Sequence, residues 1–154
     1  MYIITESNSE NNSNGMWKIN STLEEWETVA AELESELYDR GFSDKFIISL
    51  MLATDEVFAN ISAYAYGDST GNVTIKSEYI QNSDMRTAKI SFADSGKRFD
   101  PLSESPEPDI SSKNASMRQT GGLGIFIAKK QTDEMFYSYT DSQNTLTLLK
   151  NEII

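Results

Sequence analysis

The apolar residues of this chain follow two periods, and the order of those periods most constrains the fold. From residue 22 to 65 apolar residues recur every three or four positions, which is the period of an α-helix. From 72 to 95, and again from 134 to 151, they alternate with polar residues, as in a β-strand with one buried face. The pattern predicts an α+β fold: a two-layer α/β sandwich with a mostly antiparallel sheet and helices on one face.

Two helices are predicted in the first half of the chain. The first begins at Thr22, which forms a capping box with Glu25, and ends at Gly41. The second runs from about Ser43 to about Tyr64. The apolar stripe of the first helix consists of Leu23, Trp26, Val29, Ala30, Leu33 and Leu37. A shorter helix is predicted in the second half of the chain, between residues 122 and 133.

Strands are predicted at residues 16–20, 72–80, 87–96, 134–140 and 144–151. Residues 1–15 are polar and expected to be flexible, although residues 2–5 can add an edge strand. Residues 102–120 show no period and are rich in Pro, Ser, Asp and Asn, which is typical of a functional lid or of disorder. We therefore expect one domain over residues 16–154, with a lid at about residues 102–121.

The composition excludes several function classes. With 13 Lys and Arg against 24 Asp and Glu, the net charge of −11 disfavours direct binding to nucleic acid. The absence of Cys excludes disulfides and thiol catalysis, and the absence of His removes the commonest general base. No apolar run approaches the length of a membrane span and no signal peptide is visible, so we predict a cytoplasmic protein without a membrane partner.

Three stretches carry residues suited to chemistry, and each is weak evidence alone. In "DEVFANISAYAYG", Glu56 and Asn60 lie one helical turn apart. They can act together as a base and a metal ligand, or they can simply form a solvated polar face. In "DSGKRFDP", Asp94 ends a strand at a turn where Gly96 can adopt a positive φ. In "TGGLGIF", three glycines precede or open a helix, where free N–H groups attract phosphate.

Taken in order, these stretches resemble the conserved boxes of the GHKL ATPase/kinase superfamily, which includes gyrase and the histidine kinases. Within it, the chain resembles the anti-sigma-factor serine kinases of bacterial stress and sporulation control. "DEVFANISAYAYG" resembles the N-box, "DSGKRFDP" the adenine-binding box and "GGLGIFIAKKQTDE" the third box. The resemblance extends from Met16 onward and implies a Bergerat-type ATP-binding fold.

The resemblance implies a role for each motif residue. Glu56 resembles the general base that accepts the proton of the attacking hydroxyl, and Asn60 the ligand of Mg²⁺. Asp94 resembles the carboxylate that accepts a hydrogen bond from the adenine amino group. Six further residues are assigned to the nucleotide site: Gly96, Phe99, Gly121, Gly122, Gly124 and Thr145. The glycines let the backbone approach the nucleotide. Phe99 belongs to the core or to the pocket wall, and Thr145 is either a water-mediated adenine contact or a plain strand residue.

The resemblance implies that ATP and Mg²⁺ are bound. It further implies an anti-sigma factor that binds a sigma factor and, as a protein serine/threonine kinase, phosphorylates a serine of an anti-sigma-factor antagonist. The alternative is a non-catalytic, ATP-dependent binding switch that sequesters a regulatory partner. Glu56 favours the kinase, because a protein that only binds needs no base. A sensor histidine kinase domain is a weaker option for a chain without His. A homodimer is also implied.

Overall fold

The computed structural model describes the backbone of residues 2–8, 12–104 and 123–154, and the side chains of this part of the chain from residue 14 onward. Its elements in chain order are β1 (Tyr2–Asn8), β2 (Asn12–Asn20), α1 (Leu23–Asp39), α2 (Asp44–Tyr64), β3 (Asn72–Gln81), β4 (Met85–Asp94), α3 (Pro101–Glu104), α4 (Leu123–Gln131), β5 (Glu134–Thr140) and β6 (Gln143–Ile153).

The six strands that the structure describes form one sheet in the order β1-β2-β3-β4-β6-β5, and every neighbouring pair is antiparallel. Buried and more exposed residues alternate along β3 and β4, because helices cover only one face of the sheet. On that face α2 packs between α1 and α4. The predicted α+β fold, with an antiparallel sheet and helices on one face, is confirmed.

The ends of α1 lie close to their predicted positions. Thr22 Oγ1 accepts a hydrogen bond from the N–H of Glu25 at 3.5 Å, while the Glu25 carboxylate accepts from the N–H of Asn20 rather than from that of Thr22. Gly41 ends the helix with a φ of +82°, a conformation that favours glycine. The prediction that Leu23 belongs to the core is wrong: it is 55% exposed, because the buried stripe begins one turn later.

The core helix of the domain is α2, which begins after Ser43 as predicted. Ser43 Oγ accepts a hydrogen bond from the N–H of Phe46 at 3.2 Å. The buried side chains of α2 are Phe46, Ile47, Leu50, Ala53, Thr54, Val57, Phe58 and Ile61. Contrary to the expectation from sequence, α2 is long and apolar enough to cross a membrane. Since a core helix passes the same test, this is weak evidence for a span.

The hairpin of β3 and β4 brings the end of β4 to the start of β6. Asn82 Oδ1 accepts hydrogen bonds from the N–H groups of Asp84 and Met85, both at 2.9 Å, and so closes the predicted turn. At the other end of β4, Asp94 lies opposite Asn144 of β6. The last residue of β4 therefore meets the second residue of β6 at one end of the sheet.

Two segments differ from prediction. β2 begins at Asn12 rather than at Met16, and β1 pairs with it at the edge of the sheet. The first residues of the predicted lid form the helical turn α3, which Asp100 caps through a 2.9 Å hydrogen bond from the N–H of Leu102. Residues 105–121 of the predicted lid lie outside the described residues. The flexibility of residues 1–15 stays a prediction.

Candidate functional site

A cavity of about 420 Å³ lies where the C-terminal half of α2 meets the end of β4 and the start of β6. Its wall is largely apolar and aromatic, formed by Val57, Ile61, Tyr64, Ala65, Phe99, Tyr137 and Leu146. The amide and charged side chains that also line it are those of Asn60, Asp94, Lys97, Glu104 and Asn144. A mostly apolar cavity with a few polar groups is typical of a binding site for a small organic ligand.

Asp94 is the buried carboxylate of this cavity, with a relative exposure of 6%. Its Oδ1 accepts hydrogen bonds from the N–H of Gly96 at 2.9 Å and from Nδ2 of Asn144 at 3.0 Å. Burial raises the pKa of the Asp94 carboxyl, and these two hydrogen bonds act in the opposite direction. Among the residues that the structure describes, both donors bond to Oδ1, so Oδ2 remains for a ligand donor such as an amino group.

The turn after β4 packs against the end of α2. The N–H of Lys97 donates to the carbonyl oxygen of Ala65 at 3.0 Å, and a Cβ on Gly96 would lie 2.1 Å from the same oxygen. Gly96 does not have the positive φ that the sequence allowed, since the positive-φ glycines of the described residues are Gly41 and Gly67. Glycine is required at this position by the close approach of two backbones rather than by its own conformation.

Asn60 and Glu56 lie on α2, one helical turn apart. Asn60 lines the cavity, whereas Glu56 is not among its lining residues and contacts Gly124 in the first turn of α4. A Cβ on Gly124 would lie 2.7 Å from Glu56 Oε2. The carboxylate therefore lies near the N-terminus of α4, where the helix dipole favours negative charge.

Comparison with known protein families agrees with this geometry. A family model described as the histidine kinase-like ATPase domain matches residues 19–150, which is most of the chain. The chain belongs to this family. The superfamily predicted from the three motifs is thereby confirmed.

Curated relatives of this ATPase domain are named as kinases. Serine-protein kinase RsbW of Listeria monocytogenes serotype 4a is 30% identical to the chain over 104 residues, which are 66% of this chain and 64% of that protein. The protein of the same name from serovar 1/2a of that species matches with the same values. The match spans less than two thirds of the length of these relatives. It supports the serine kinase branch of the family that the motifs predicted.

The ATPase domain brings several predicted site residues together. Asn60, Asp94 and Phe99 line one cavity, and Glu56 contacts Gly124 beside it. Phe99 is 40% exposed and lines the cavity, so it lies in the cavity wall rather than in the core. The roles of these residues in catalysis and binding stay predictions. Gly121 and Gly122 lie outside the described residues.

Thr145 lies away from the cavity. Residues of β6 alternate between the two faces of the sheet, and Asn144 and Leu146 face the cavity. Thr145 lies between them on the opposite face, where it pairs with Ala93 and Ser138. Its position does not support the predicted water-mediated adenine contact, and the residue of β6 that contacts Asp94 is Asn144.

Sequence reasoning missed Asn144, Tyr137 and Lys97, all of which line the cavity of the ATPase domain. A signal for Asn144 was present in "NTLTLL", because the alternation set by Leu146 and Leu148 places Asn144 on the same buried face. No comparable signal exists for Lys97, whose position depends on the contact of the turn with α2.

The donor set of the cavity is suited to Mg²⁺ only when a ligand supplies most of the oxygens. Within residues 14–104 and 123–154, no group of three or more Asp or Glu side chains could hold a metal. Asn60 offers one amide oxygen in the cavity. Mg²⁺ often binds through one or two protein oxygens together with phosphate and water, so the amide oxygen of Asn60 fits an ion that enters with a nucleotide.

Proposed function

We propose that this chain is an ATP-dependent anti-sigma factor and protein serine kinase. It binds a sigma factor and transfers the γ-phosphate of ATP to a serine of an anti-sigma-factor antagonist. The observation that carries the proposal is the shared cavity of Asn60 and Asp94, next to the contact of Glu56 with Gly124. Membership in an ATPase family and relatives named serine-protein kinase support it.

Adenine recognition is assigned to Asp94. Oδ2 of its carboxylate accepts a hydrogen bond from the 6-amino group, while Oδ1 keeps the two protein donors. A charge-assisted hydrogen bond in a largely apolar cavity contributes more than one made in water. The apolar wall, which includes Ile61 and Leu146, provides surface for the planar base.

Phosphate binding is assigned to Asn60 and to the N-terminal turn of α4, in which Gly124 has no side chain. Asn60 would hold Mg²⁺ through its amide oxygen. When bound, Mg²⁺ neutralises charge on the phosphate oxygens. The free N–H groups at the start of α4 favour an anion for the same electrostatic reason.

In the proposed reaction, the serine hydroxyl oxygen attacks the γ-phosphorus of ATP. A new phosphorus–oxygen bond forms, the bond from the γ-phosphorus to the bridging oxygen breaks, and ADP leaves with that electron pair. Glu56 accepts the hydroxyl proton, since the chain contains no His and a carboxylate is its natural general base. The position of Glu56 one turn before Asn60 supports this role.

One observation favours a competing role for Glu56. Its carboxylate lies near the N-terminus of α4, so it can stabilise that helix without taking part in chemistry. In that case the chain is a binding switch that sequesters a regulatory partner in an ATP-dependent way. A homodimer and a cytoplasmic location remain part of either proposal as predictions.

The kinase assay separates the two functions. The full chain is incubated with labelled ATP, Mg²⁺ and candidate antagonist proteins, and phosphoserine is measured by mass spectrometry. Glu56→Gln keeps the size of the side chain and should lower transfer by roughly 10²–10⁴-fold while nucleotide and partner still bind. Glu27→Gln, on the exposed face of α1, is the matched control and should transfer at the wild-type rate.

The outcomes of this assay are distinct. Loss of transfer with retained binding supports the kinase. Loss of nucleotide binding in Glu56→Gln would assign Glu56 to the packing of α2 against α4. A wild type that binds a partner more tightly with ATP, yet never phosphorylates it, would establish the switch instead.

A further inference from the structure

Asn144 makes more side-chain hydrogen bonds around the cavity than any of the predicted site residues. Its Nδ2 donates to Asp94 Oδ1 at 3.0 Å and to the carbonyl oxygens of Gly96 at 3.3 Å and Lys97 at 3.1 Å. Its Oδ1 accepts from the N–H of Phe99 at 3.1 Å and from the hydroxyl of Tyr137 at 2.5 Å. The side chain thus joins β6 to the whole turn that follows β4.

These partners define the orientation of the Asn144 amide. The backbone N–H of Phe99 can only donate, and the carbonyl oxygens of Gly96 and Lys97 can only accept. Rotating the amide by half a turn would place donor against donor at Phe99 and acceptor against acceptor at Gly96 and Lys97. Asn144 is also 6% exposed, so water does not replace these partners easily.

The amide occupies one specific oxygen of Asp94. Nδ2 of Asn144 and the N–H of Gly96 both donate to Oδ1, which fixes the plane of the carboxylate. Both protein donors bond to Oδ1, and Asp94 lines the cavity, so we assign Oδ2 to an incoming ligand donor. A carboxylate without these two donors could rotate about its Cβ–Cγ bond and present either oxygen.

We propose that Asn144 is a positioning residue for nucleobase selection: it holds Asp94 so that one carboxylate oxygen accepts from a 6-amino purine and rejects a 6-oxo purine. This inference rests on the proposed binding of ATP. A 6-oxo group would place its acceptor oxygen against the carboxylate oxygen of Asp94, which is also an acceptor. Because the held carboxylate cannot rotate away, the repulsion between the two acceptors is not relieved. A mobile carboxylate would discriminate less between 6-amino and 6-oxo purines.

A structural role alone would have a different signature. Asn144 also stabilises the turn, so its loss should lower the stability of the domain in any case. Loss of stability weakens the binding of every nucleotide by a similar factor. Loss of positioning instead lowers the ratio of ATP affinity to ITP affinity, because only the amino group of ATP contacts Asp94.

The test measures the affinities of the full chain for ATP and ITP by calorimetry. The wild type should bind ATP at least roughly 10-fold more tightly than ITP. Asn144→Asp retains the acceptor for Phe99 but loses the donor to Asp94, and Asn144→Ser loses most contacts without adding charge. Both should lower the preference for ATP toward equality. Thr147→Val, on the opposite face of β6, should leave both affinities unchanged.

Each outcome decides between the proposals. A wild type that binds neither nucleotide overturns the ATP site and this inference with it. A wild type that prefers ATP, with folded Asn144 variants that keep the same preference, overturns only the role of Asn144. Circular dichroism and thermal unfolding identify the variants that remain folded.

A measurement on the wild type requires no variant to fold. The side-chain amide protons of Asn144 should exchange slowly with solvent in a nitrogen-15-labelled sample, since they bond to three acceptors. Saturation with ATP should shift their resonances more than saturation with ITP. Identical spectra with the two nucleotides would contradict the inference.

Discussion

The carbonyl oxygen of Ala65 lies so close to Gly96 that a Cβ there would approach it to 2.1 Å. The N–H of Lys97 donates to the same oxygen at 3.0 Å. Ala65 caps the C-terminus of α2, the helix that carries Asn60, and Gly96 follows Asp94. These backbone contacts join the turn after Asp94 to the helix that carries Asn60, and so help to position the two residues relative to each other.

Gly96→Ala should destabilise the domain and weaken nucleotide binding together. The added methyl group meets backbone atoms, which cannot rotate away, so the turn or the end of α2 must move. We expect a loss of about 1–3 kcal/mol in the free energy of unfolding, measured with urea, and a weaker affinity for ATP. Ser95→Ala changes the neighbouring exposed residue and should alter neither value. Wild-type stability in Gly96→Ala would show that the turn moves at little cost.

Asp94→Asn should separate binding from stability. An Asn oxygen in the place of Oδ1 can keep both protein donors, but the amino group in the place of Oδ2 would face the amino group of adenine. ATP affinity should fall by roughly 10-fold or more. The free energy of unfolding without nucleotide should not fall, because burial of the charge already raises the pKa of Asp94. Equal ATP affinities by calorimetry would remove the adenine assignment.

The ATP affinity of the wild type should also depend on pH through Asp94. Burial raises the pKa of this carboxyl above its ordinary value of 3.8. The ionised form is the better acceptor for an amino group, so affinity should decrease as pH falls through the raised pKa. The same titration on Asp94→Asn should lose this dependence. A pH profile that is unchanged by the substitution would assign the titration to another group.

The regular elements were largely predictable from the sequence because local signals define them. Ser43 and Thr22 have side chains that cap helices, and Gly41 has the conformation that ends one. Alternating apolar residues set the hairpin of β3 and β4, with Asn82 in its turn. These signals act within a few residues, so they are visible before any tertiary contact is known.

The contacts around the cavity were less predictable, because they join residues distant in the sequence. Asp94 and Asn144 are 50 positions apart, and their pairing follows from the register of β4 with β6. The sequence singled out Thr145, which is adjacent to Asn144, and a shift of one residue moves a side chain to the other face of the sheet. The need for glycine at position 96 depends on Ala65, which no local pattern reveals.

Asn60→Ala should remove the Mg²⁺-dependent part of ATP affinity. The substitution deletes the amide oxygen that lines the cavity while leaving the buried stripe of α2 intact. Calorimetric titrations with and without Mg²⁺ should then give the same affinity. Asn60→Asp is the matched variant: it keeps an oxygen donor and should retain the Mg²⁺ dependence. If Asn60→Ala responds to Mg²⁺ as the wild type does, Asn60 is only part of the cavity wall.

The stability of the domain should depend on the protonation of Glu36, which is remote from the cavity. Glu36 Oε2 accepts hydrogen bonds from Ser77 Oγ at 2.8 Å and from the Tyr79 hydroxyl at 2.7 Å. Burial is the main cause that raises its pKa above 4.5; these hydrogen bonds and Arg40 oppose the shift, and Glu32 adds to it. The folded state therefore binds this proton more tightly than the unfolded state.

The sign of the effect follows from that difference. The stabilising contribution of protonated Glu36 is fully present below the unfolded pKa and is lost as pH rises through the raised folded pKa. Glu36→Gln should remove this dependence. The free energy of unfolding of the variant, relative to that of the wild type, should therefore increase as pH rises from the unfolded pKa through the raised folded pKa, and then level off. We expect a change of at most about 1 kcal/mol, since solvent screens the partly exposed carboxylate. Urea unfolding at several pH values measures it, with Glu34→Gln on the exposed face of α1 as control. A constant difference between Glu36→Gln and wild type at all pH values would contradict the raised pKa.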